Sequence, residues 1–339
     1  MVIVDWLSQL FDLLPVRGQL DIRCSFGAPW RMEEKNAPVG QIPYHVVLAG
    51  RAVLRDPQTG AENCLEAGDI LLLPSGAGHI LHDGSGEAPV LPSDHQQQHL
   101  LLKESAGTGP RLDMLCGRFQ LAGFHARMLA RYLPEQLIVR AEDGRGKGVS
   151  PIVDDTVLHL PADVAEAVRT PTGQHLAMLL GLMRAEAHNP GPGTRAMLNA
   201  YSAALLTLAL RHASEGKDAP VGLLALAGHP RLNPALIAML DDPGRNWTLP
   251  KFAELCHMSR ATLVRHFQDL LGYSANDLLL EIRMMRAANL LEKQDHSTGA
   301  VGEMVGYQSE AAFQRAFKNH MGLTPAQWRR SARQEGHRD

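Results

Sequence analysis

The chain has 339 residues, of which 45% are hydrophobic and 20% are charged; this length favours about two domains, each with its own core, and excludes a single small module. Its 33 basic and 36 acidic residues give a net charge of -3, which excludes a protein that coats nucleic acid through bulk positive charge. Residues 1–228 carry 19 basic and 24 acidic side chains, whereas residues 229–339 carry 14 and 12. This asymmetry is typical of a chain whose C-terminal part contacts nucleic acid.

The N-terminal stretch MVIVDWLSQLFDLLP predicts a short amphipathic helix and not a secretion signal. It contains Asp5 and Asp12, and it lacks both a basic start and a small-residue cleavage site. No apolar run approaches the roughly 18 to 20 residues of a membrane span. We therefore expect a cytoplasmic protein with no membrane contact. The cysteines form no CxxC pair and do not resemble a secreted disulfide framework; they are Cys24, Cys64, Cys116 and Cys256.

Residues 40–125 contain short apolar runs broken by Gly and Pro, a pattern typical of an antiparallel sandwich or barrel. Within this region, the Gly-, Ser- and Gln-rich segment 84–112 predicts a long mobile loop. From Pro161 the pattern becomes helical. The very apolar helices between 174 and 213 indicate burial in a core or in an interface between subunits.

The last third of the chain contains an internal repeat. WTLPKFAELCHMSRATLVRHFQDLLGYS recurs as TGAVGEMVGYQSEAAFQRAFKNHMGLTP at an offset of 50 residues. In each copy a serine can cap a helix, two apolar residues four positions apart can pack inward, and a glycine can end the helix. The matched positions are Ser259 and Ser309, Leu263 and Phe313, Phe267 and Phe317, and Gly272 and Gly322. The spacing predicts two helix-turn-helix units, joined by a helix over about 275–292.

The outward positions on the second helix of each unit are candidates for DNA contacts. Side chains near the N-terminal end of such a helix reach base edges in the major groove, where Arg suits guanine and Gln suits adenine. Two units joined by one rigid helix would enter successive major grooves, about 34 Å apart. The alternative for any single arginine is that it is exposed to solvent and makes no contact with DNA. The predicted DNA-binding residues are Arg260, Thr262, Arg265, Glu310, Gln314 and Arg315.

VGYQSEAAFQRAFKNHMGLTPAQWR, at 305–329, resembles the signature of the AraC/XylS family of bacterial transcription regulators, and EIRMMRAANLLEK resembles its linker helix. The resemblance covers about 229–335. It implies a transcription activator that binds double-stranded promoter DNA and contacts RNA polymerase. Gly302 departs from the family's usual Ala. Because Gly in a helix interior costs roughly 0.5–1 kcal/mol relative to Ala, we expect the second unit to be the looser one.

The stretch from Gly68 to His79 has the spacing G-x5-P-x-G-x2-H, which resembles the second motif of the cupin β-barrels. That family's first motif supplies two His and a Glu, but here only His45 is present, with Val47 at the second His position. His45 and His79 are therefore the candidate ligands for Zn or another divalent metal, and structural histidines are the alternative. The missing ligands argue against an enzyme. The histidines available to complete a set are His82, His95 and His99.

A barrel in front of two helix-turn-helix units is the usual layout of AraC-type regulators. The resemblance therefore implies an α+β chain with three parts. Residues 1–215 would form a cupin-like antiparallel β-barrel that senses a signal, with helices that form a homodimer. Residues 216–228 would form a linker, and 229–339 an all-α DNA-binding domain.

The segments LDIRCSFGAPW and DMLCGRFQL contain Cys24 and Cys116, for which we expect positions at the barrel mouth. Together with the C-terminal region, they resemble the cupin-bearing AraC regulators that include a reactive-chlorine sensor. This resemblance implies a redox switch in which hypochlorous acid converts an accessible thiolate into a sulfenyl species that condenses with the second thiol.

Other interpretations of the N-terminal region stay open. Buried cysteines commonly act as small hydrophobic residues. A zinc site is another possibility, with Cys24, Cys116, His45 and His79 as its ligands. Oxidation of the two thiols would then release the zinc ion. The barrel would otherwise bind a small apolar or sugar effector, or belong to a cupin enzyme fused to a DNA-binding domain.

Overall fold

A computed structural model describes residues 5–97, 100–140, 171–216, 219–293 and 295–335. The chain forms two compact units. The sheet unit contains Val16–Gln120 and Glu135–Glu215, and the helical unit contains Met1–Pro15, Leu121–Pro134 and Gly216–Asp339. The helical unit thus takes two segments from the region predicted to be sensor.

The sheet unit contains eleven described strands and two described helices. The strands are β1 Arg17–Gly27, β2 Arg31–Glu34, β3 Gln41–Ala49, β4 Arg51–Arg55, β5 Glu62–Glu66, β6 Asp69–Leu72, β7 His79–His82, β8 Ser93–Gln96, β9 Leu101–Ala106, β10 Arg111–Gln120 and β11 Leu137–Arg140. The helices are α3 Pro171–His188 and α4 Thr194–Glu215.

The strands form two sheets, one with the order β11-β6-β3-β10-β1-β9-β8 and one with the order β2-β7-β4-β5. The prediction of an antiparallel architecture holds for most described pairings, but β1 and β9 are parallel. Strands β8 and β9 lie inside 84–112, so the prediction of one long loop there was wrong. The reason is that β8 is exposed along its whole length and carries no apolar alternation that would mark it as a strand.

The inner faces of the strands enclose an apolar core. Alternate residues of β1 and β10 point into it, because side chains of a strand alternate between the two faces. The core residues on these and neighbouring strands include Cys24, Phe26, Val47, Leu54, Leu71, Leu81, Leu112, Met114 and Cys116.

Helix α4 packs closely against the outer face of β1. A Cβ at Gly18 would lie 2.6 Å from the backbone nitrogen of Ala203, so only glycine permits this approach. The Leu20 amide donates to Asn199 Oδ1 at 3.3 Å, which fixes the helix along the strand. The apolar helices predicted between 174 and 213 therefore do pack on the sheet.

The helical unit contains ten helices in its described part. They are α1 Trp6–Leu13, α2 Gly123–Tyr132, α5 Leu223–Gly228, α6 Asn233–Asp241, α7 Leu249–Leu255, α8 Arg260–Leu271, α9 Ala275–Lys293, α10 Thr298–Met304, α11 Glu310–Met321 and α12 Pro325–Glu335. The predicted N-terminal helix is confirmed as α1. The predicted linker over 216–228 contains α5, whose leucines are buried.

Both predicted helix-turn-helix units are present, as α7–α8 and α10–α11, with α9 between them. Ser259 accepts from the Thr262 amide and Ser309 from the Ala312 amide, so each serine caps its helix as predicted. Gly272 and Gly322 end the helices in the left-handed conformation that glycine favours. The apolar pairs predicted to face inward are fully buried: Leu263, Phe267, Phe313 and Phe317.

Gly302 has a packing role in the second unit. A Cβ at this position would lie 3.0 Å from the Cβ of Phe313 and 3.1–3.2 Å from its ring. The glycine thus lets α10 approach α11 closely, at the side chain of Phe313. None of the described helices is long and apolar enough to cross a membrane.

Candidate functional site

Cys24 and Cys116 are brought together on the inner face of the sheet unit. In the antiparallel pairing of β1 with β10, Cys24 lies opposite Met114 and Ile22 lies opposite Cys116, so the two cysteines are diagonal neighbours. Their Sγ atoms are 3.8 Å apart. The sequence predicts both cysteines at the barrel mouth, whereas the structure buries them in the apolar core, where Cys24 is 0% and Cys116 6% exposed.

His45 extends this pair toward the second sheet. Strand β3 places it directly opposite Cys116, and its Nδ1 lies 3.1 Å from Cys116 Sγ. Its Nε2 lies 2.7 Å from Nε2 of His79, which belongs to β7 in the four-stranded sheet. His79 Nδ1 in turn lies 3.3 Å from the Ala77 carbonyl oxygen. A continuous hydrogen-bonded cluster therefore spans the interior from one sheet to the other.

The surroundings of His45, His79 and Cys116 favour the neutral form of each side chain. Burial lowers the pKa of His45 well below the ordinary histidine value, with the nearby His79 as a second cause, and it also lowers the pKa of His79. The hydrogen bond to Cys24, followed by burial, raises the pKa of Cys116 well above the usual range of a thiol. Cys116 therefore rests as a thiol, and not as the accessible thiolate expected from the sequence.

The side chains of Cys116, His45 and His79 are not arranged to bind one metal ion. His45 directs its two ring nitrogens in opposite directions, one to Cys116 and one to His79, so a single ion cannot take the cysteine and both histidines as ligands. A distance of 2.7 Å between two imidazole nitrogens is that of a direct hydrogen bond. Within the described parts of the chain, no group of three or more His, Cys, Asp or Glu is arranged to hold a metal ion.

The other candidate ligands and thiols lie elsewhere. His82 pairs with Glu62 at 3.6 Å, and His95 on the exposed strand β8 lies 2.9 Å from the Ser93 hydroxyl. His99 lies outside the described residues. Cys64 is exposed on β5, and Cys256 is buried at the end of α7.

The outward faces of α8 and α11 carry the residues predicted to bind DNA. Five of the six are exposed: Arg260, Arg265, Glu310, Gln314 and Arg315. Thr262 is half-buried, and its hydroxyl lies 2.9 Å from that of the capping Ser259. The Gln314 amide donates to Glu310 Oε1 at 2.8 Å, so the two side chains hold each other along the helix surface.

Val264 is an exposed residue on α8, at a position that the sequence pattern places on the outward face but that is not in the predicted DNA-binding set. It is 49% exposed and adjoins Arg265. An apolar side chain on this face suits contact with the methyl group of thymine. Val264 is an apolar residue on the polar face of an amphipathic helix, and this position distinguishes it from the buried residues of the same helix.

Known families and relatives match both units. The family described as Cupin matches residues 5–158, and the one described as Helix-turn-helix domain matches 252–331. An uncharacterized HTH-type transcriptional regulator of Haemophilus influenzae is 31% identical over 329 residues, which cover 97% of this chain and 99% of the relative. The chain belongs to the AraC-type transcription regulators with an N-terminal cupin domain.

Two further relatives of this AraC-type regulator also match along the whole chain. HTH-type transcriptional regulator MtrA of Neisseria gonorrhoeae is 29% identical, with 98% of this chain and 100% of the relative covered. RCS-specific HTH-type transcriptional activator RclR of Escherichia coli is 27% identical, with 98% of this chain and 99% of the relative covered. The resemblance stated from the sequence is confirmed at the level of family and of domain content.

Proposed function

We propose that this AraC-type regulator activates transcription in response to oxidants such as hypochlorous acid, through a disulfide between Cys24 and Cys116. The observation that carries this proposal is the 3.8 Å approach of the two Sγ atoms on neighbouring strands. Such a diagonal pair needs only a small movement to reach the S–S bond length of about 2.05 Å. The name of the Escherichia coli relative RclR, an RCS-specific activator, supports the same signal.

The chemistry consumes one oxidant molecule for each disulfide. Hypochlorous acid transfers chlorine to one thiol sulfur, and the thiol proton leaves with the hydroxide as water. The second sulfur then attacks the first and displaces chloride, with loss of its own proton. The protein needs neither a metal nor catalytic turnover for this response, so we expect a regulator and not an enzyme.

The output of the switch would be binding to promoter DNA in the cytoplasm through α8 and α11, followed by contact with RNA polymerase. We expect the regulator to act as a homodimer. Exposed apolar side chains on α3 and α4 support this expectation, since such groups favour burial against a second copy. They are Met178, Leu182 and Met197, each 44–46% exposed.

Replacement of the two cysteines tests the proposal. In cells that carry a promoter reporter, Cys24→Ser and Cys116→Ser should each abolish induction by hypochlorite, because neither chain can form the disulfide. Non-reducing mass spectrometry of the oxidised wild-type protein should identify a peptide that joins residues 24 and 116.

Cys64→Ser is the matched control, because Cys64 is the exposed thiol of the same unit. This variant should respond like the wild type. Normal induction in the Cys24→Ser/Cys116→Ser double variant would refute the redox switch and would leave a small-molecule effector as the signal. A disulfide that joined Cys64 to another chain would assign the response to a different thiol.

A further inference from the structure

The hydrogen bonds that lead away from Cys116 have only one consistent direction. The Ala77 carbonyl oxygen can only accept, so His79 Nδ1 carries a proton and donates to it at 3.3 Å. In a neutral imidazole the other nitrogen is then an acceptor. His45 Nε2 must therefore donate to His79 Nε2 at 2.7 Å, which leaves His45 Nδ1 as an acceptor for the Cys116 thiol at 3.1 Å.

The contact between the two thiols at 3.8 Å has no fixed direction, because either sulfur can donate. The order of donation that leads away from Cys116 is His45, His79 and then the Ala77 carbonyl. Within this cluster, His45 is the base that touches a reacting sulfur.

We propose that His45 is the general base that accepts the Cys116 proton when the disulfide forms, and that His79 is a positioning residue that fixes its tautomer. This inference rests on the proposed redox function and adds residues that the cysteine chemistry alone does not include. A base within hydrogen-bond distance of the proton that it removes is the geometry that general base catalysis requires.

The step balances with Cys116 as the attacking sulfur. Hypochlorous acid first gives a sulfenyl chloride at Cys24 and water. Cys116 Sγ then attacks Cys24 Sγ, the S–S bond forms, chloride leaves, and the Cys116 proton moves to His45 Nδ1. The imidazolium of His45 keeps its Nε2 proton in the hydrogen bond to His79, so the new charge is shared with a second imidazole and can then pass outward as His79 releases its own proton.

The other charges that act on the attacking sulfur differ in sign. Glu34, on the strand paired with β7, raises the pKa of the Cys116 thiol, and Lys103 on β9 lowers it. Neither residue is part of the hydrogen-bonded cluster. Because the base in contact with the sulfur is His45, the effect of removing it should exceed that of changing either charge.

The rate of disulfide formation in the full chain tests this assignment. Purified proteins carrying Cys64→Ser would be mixed with hypochlorite, quenched with N-ethylmaleimide and analysed by mass spectrometry for the joined peptides. His45→Gln should slow the reaction about 10²-fold or more. His79→Gln, which keeps an acceptor for His45 Nε2, should slow it less than His79→Leu, which removes that acceptor.

The pH profile separates a chemical role from a structural one. Relative to a His82→Gln control, the wild-type rate should fall in acid, where the His45–His79 pair already holds an extra proton. His45→Gln should lose this acid limb while reacting slowly at every pH. Equal rates and equal profiles in His45→Gln and the control would overturn the role of His45. Failure of the wild type to form the disulfide would instead refute the redox function itself.

Discussion

Tyr44 and Gly117 lie directly behind the cysteine cluster, on the outer face of the same strands. Tyr44 precedes His45 on β3, and Gly117 follows Cys116 on β10 and pairs with Tyr44. Ser202 of α4 donates to the Leu198 carbonyl, so the Tyr44 hydroxyl donates to Ser202 Oγ at 2.6 Å. A Cβ at Gly117 would collide with the Tyr44 hydroxyl and the Gln19 carbonyl, which explains the glycine.

We predict that Tyr44→Phe lowers the stability of the contact between β3 and α4 without changing the rate of disulfide formation. Loss of one buried hydrogen bond should lower local stability by about 1 kcal/mol, which corresponds to about fivefold faster hydrogen exchange in β3 peptides. The rate of the Cys24–Cys116 disulfide should stay at the wild-type value, because Tyr44 faces away from the sulfur atoms. A rate loss as large as that of His45→Gln would contradict this separation of faces.

The recognition helices α8 and α11 are equivalent elements, and Arg265 and Arg315 occupy the same position in each. Both side chains are exposed. We predict that Arg265→Ala and Arg315→Ala each weaken binding to a selected operator by about 1–3 kcal/mol, because an arginine at a base edge can form two hydrogen bonds with guanine. Fluorescence anisotropy at fixed salt, with operator and random duplexes, measures this difference.

Arg286→Ala provides the control for charge alone, since Arg286 is exposed on the connecting helix α9. It removes the same unit of charge and should leave the preference for operator over random DNA unchanged. Equal losses on both duplexes for Arg265→Ala would show that this arginine contacts only phosphate.

Helices that carry clear local signals were predictable, and features that depend only on distant partners were not. The helix-turn-helix units follow from local signals, namely the serine caps, the apolar pairs and the terminal glycines. The family resemblance identified both cysteines. Their burial, however, depends on a strand register between residues 92 positions apart, which local patterns do not encode. Helix α2 was missed because its aromatic side chains pack on residues encoded more than a hundred positions later, Phe124 on Trp328 and Tyr132 on Tyr273.

At the scale of the whole chain, three separated segments build the helical unit. Asn289 on α9 forms hydrogen bonds to the other two segments, those that contain α1 and α2. Its amide nitrogen donates to the Leu13 carbonyl of α1 at 2.7 Å. Its Oδ1 therefore accepts from His125 Nε2 of α2 at 3.1 Å. His125 Nδ1 is buried and finds no hydrogen-bond partner among the described residues. A proton added at Nδ1 would thus be buried without an acceptor, which makes this junction sensitive to acid.

We predict that the helical unit loses stability between pH 6.5 and about 4 because of His125. Burial lowers the pKa of this histidine from 6.5 to about 4, so the unfolded chain binds the proton more readily than the folded one throughout that interval. The stability that the neutral imidazole provides is complete above pH 6.5 and falls by about 3 kcal/mol as the pH approaches 4.

His125→Gln keeps a donor for Asn289 but cannot be protonated, so its stability should change less over the same interval. Hydrogen exchange of α2 and α9 peptides, corrected for intrinsic rates at each pH, compares the two proteins. The same acid dependence in both would show that other groups, and not His125, account for it.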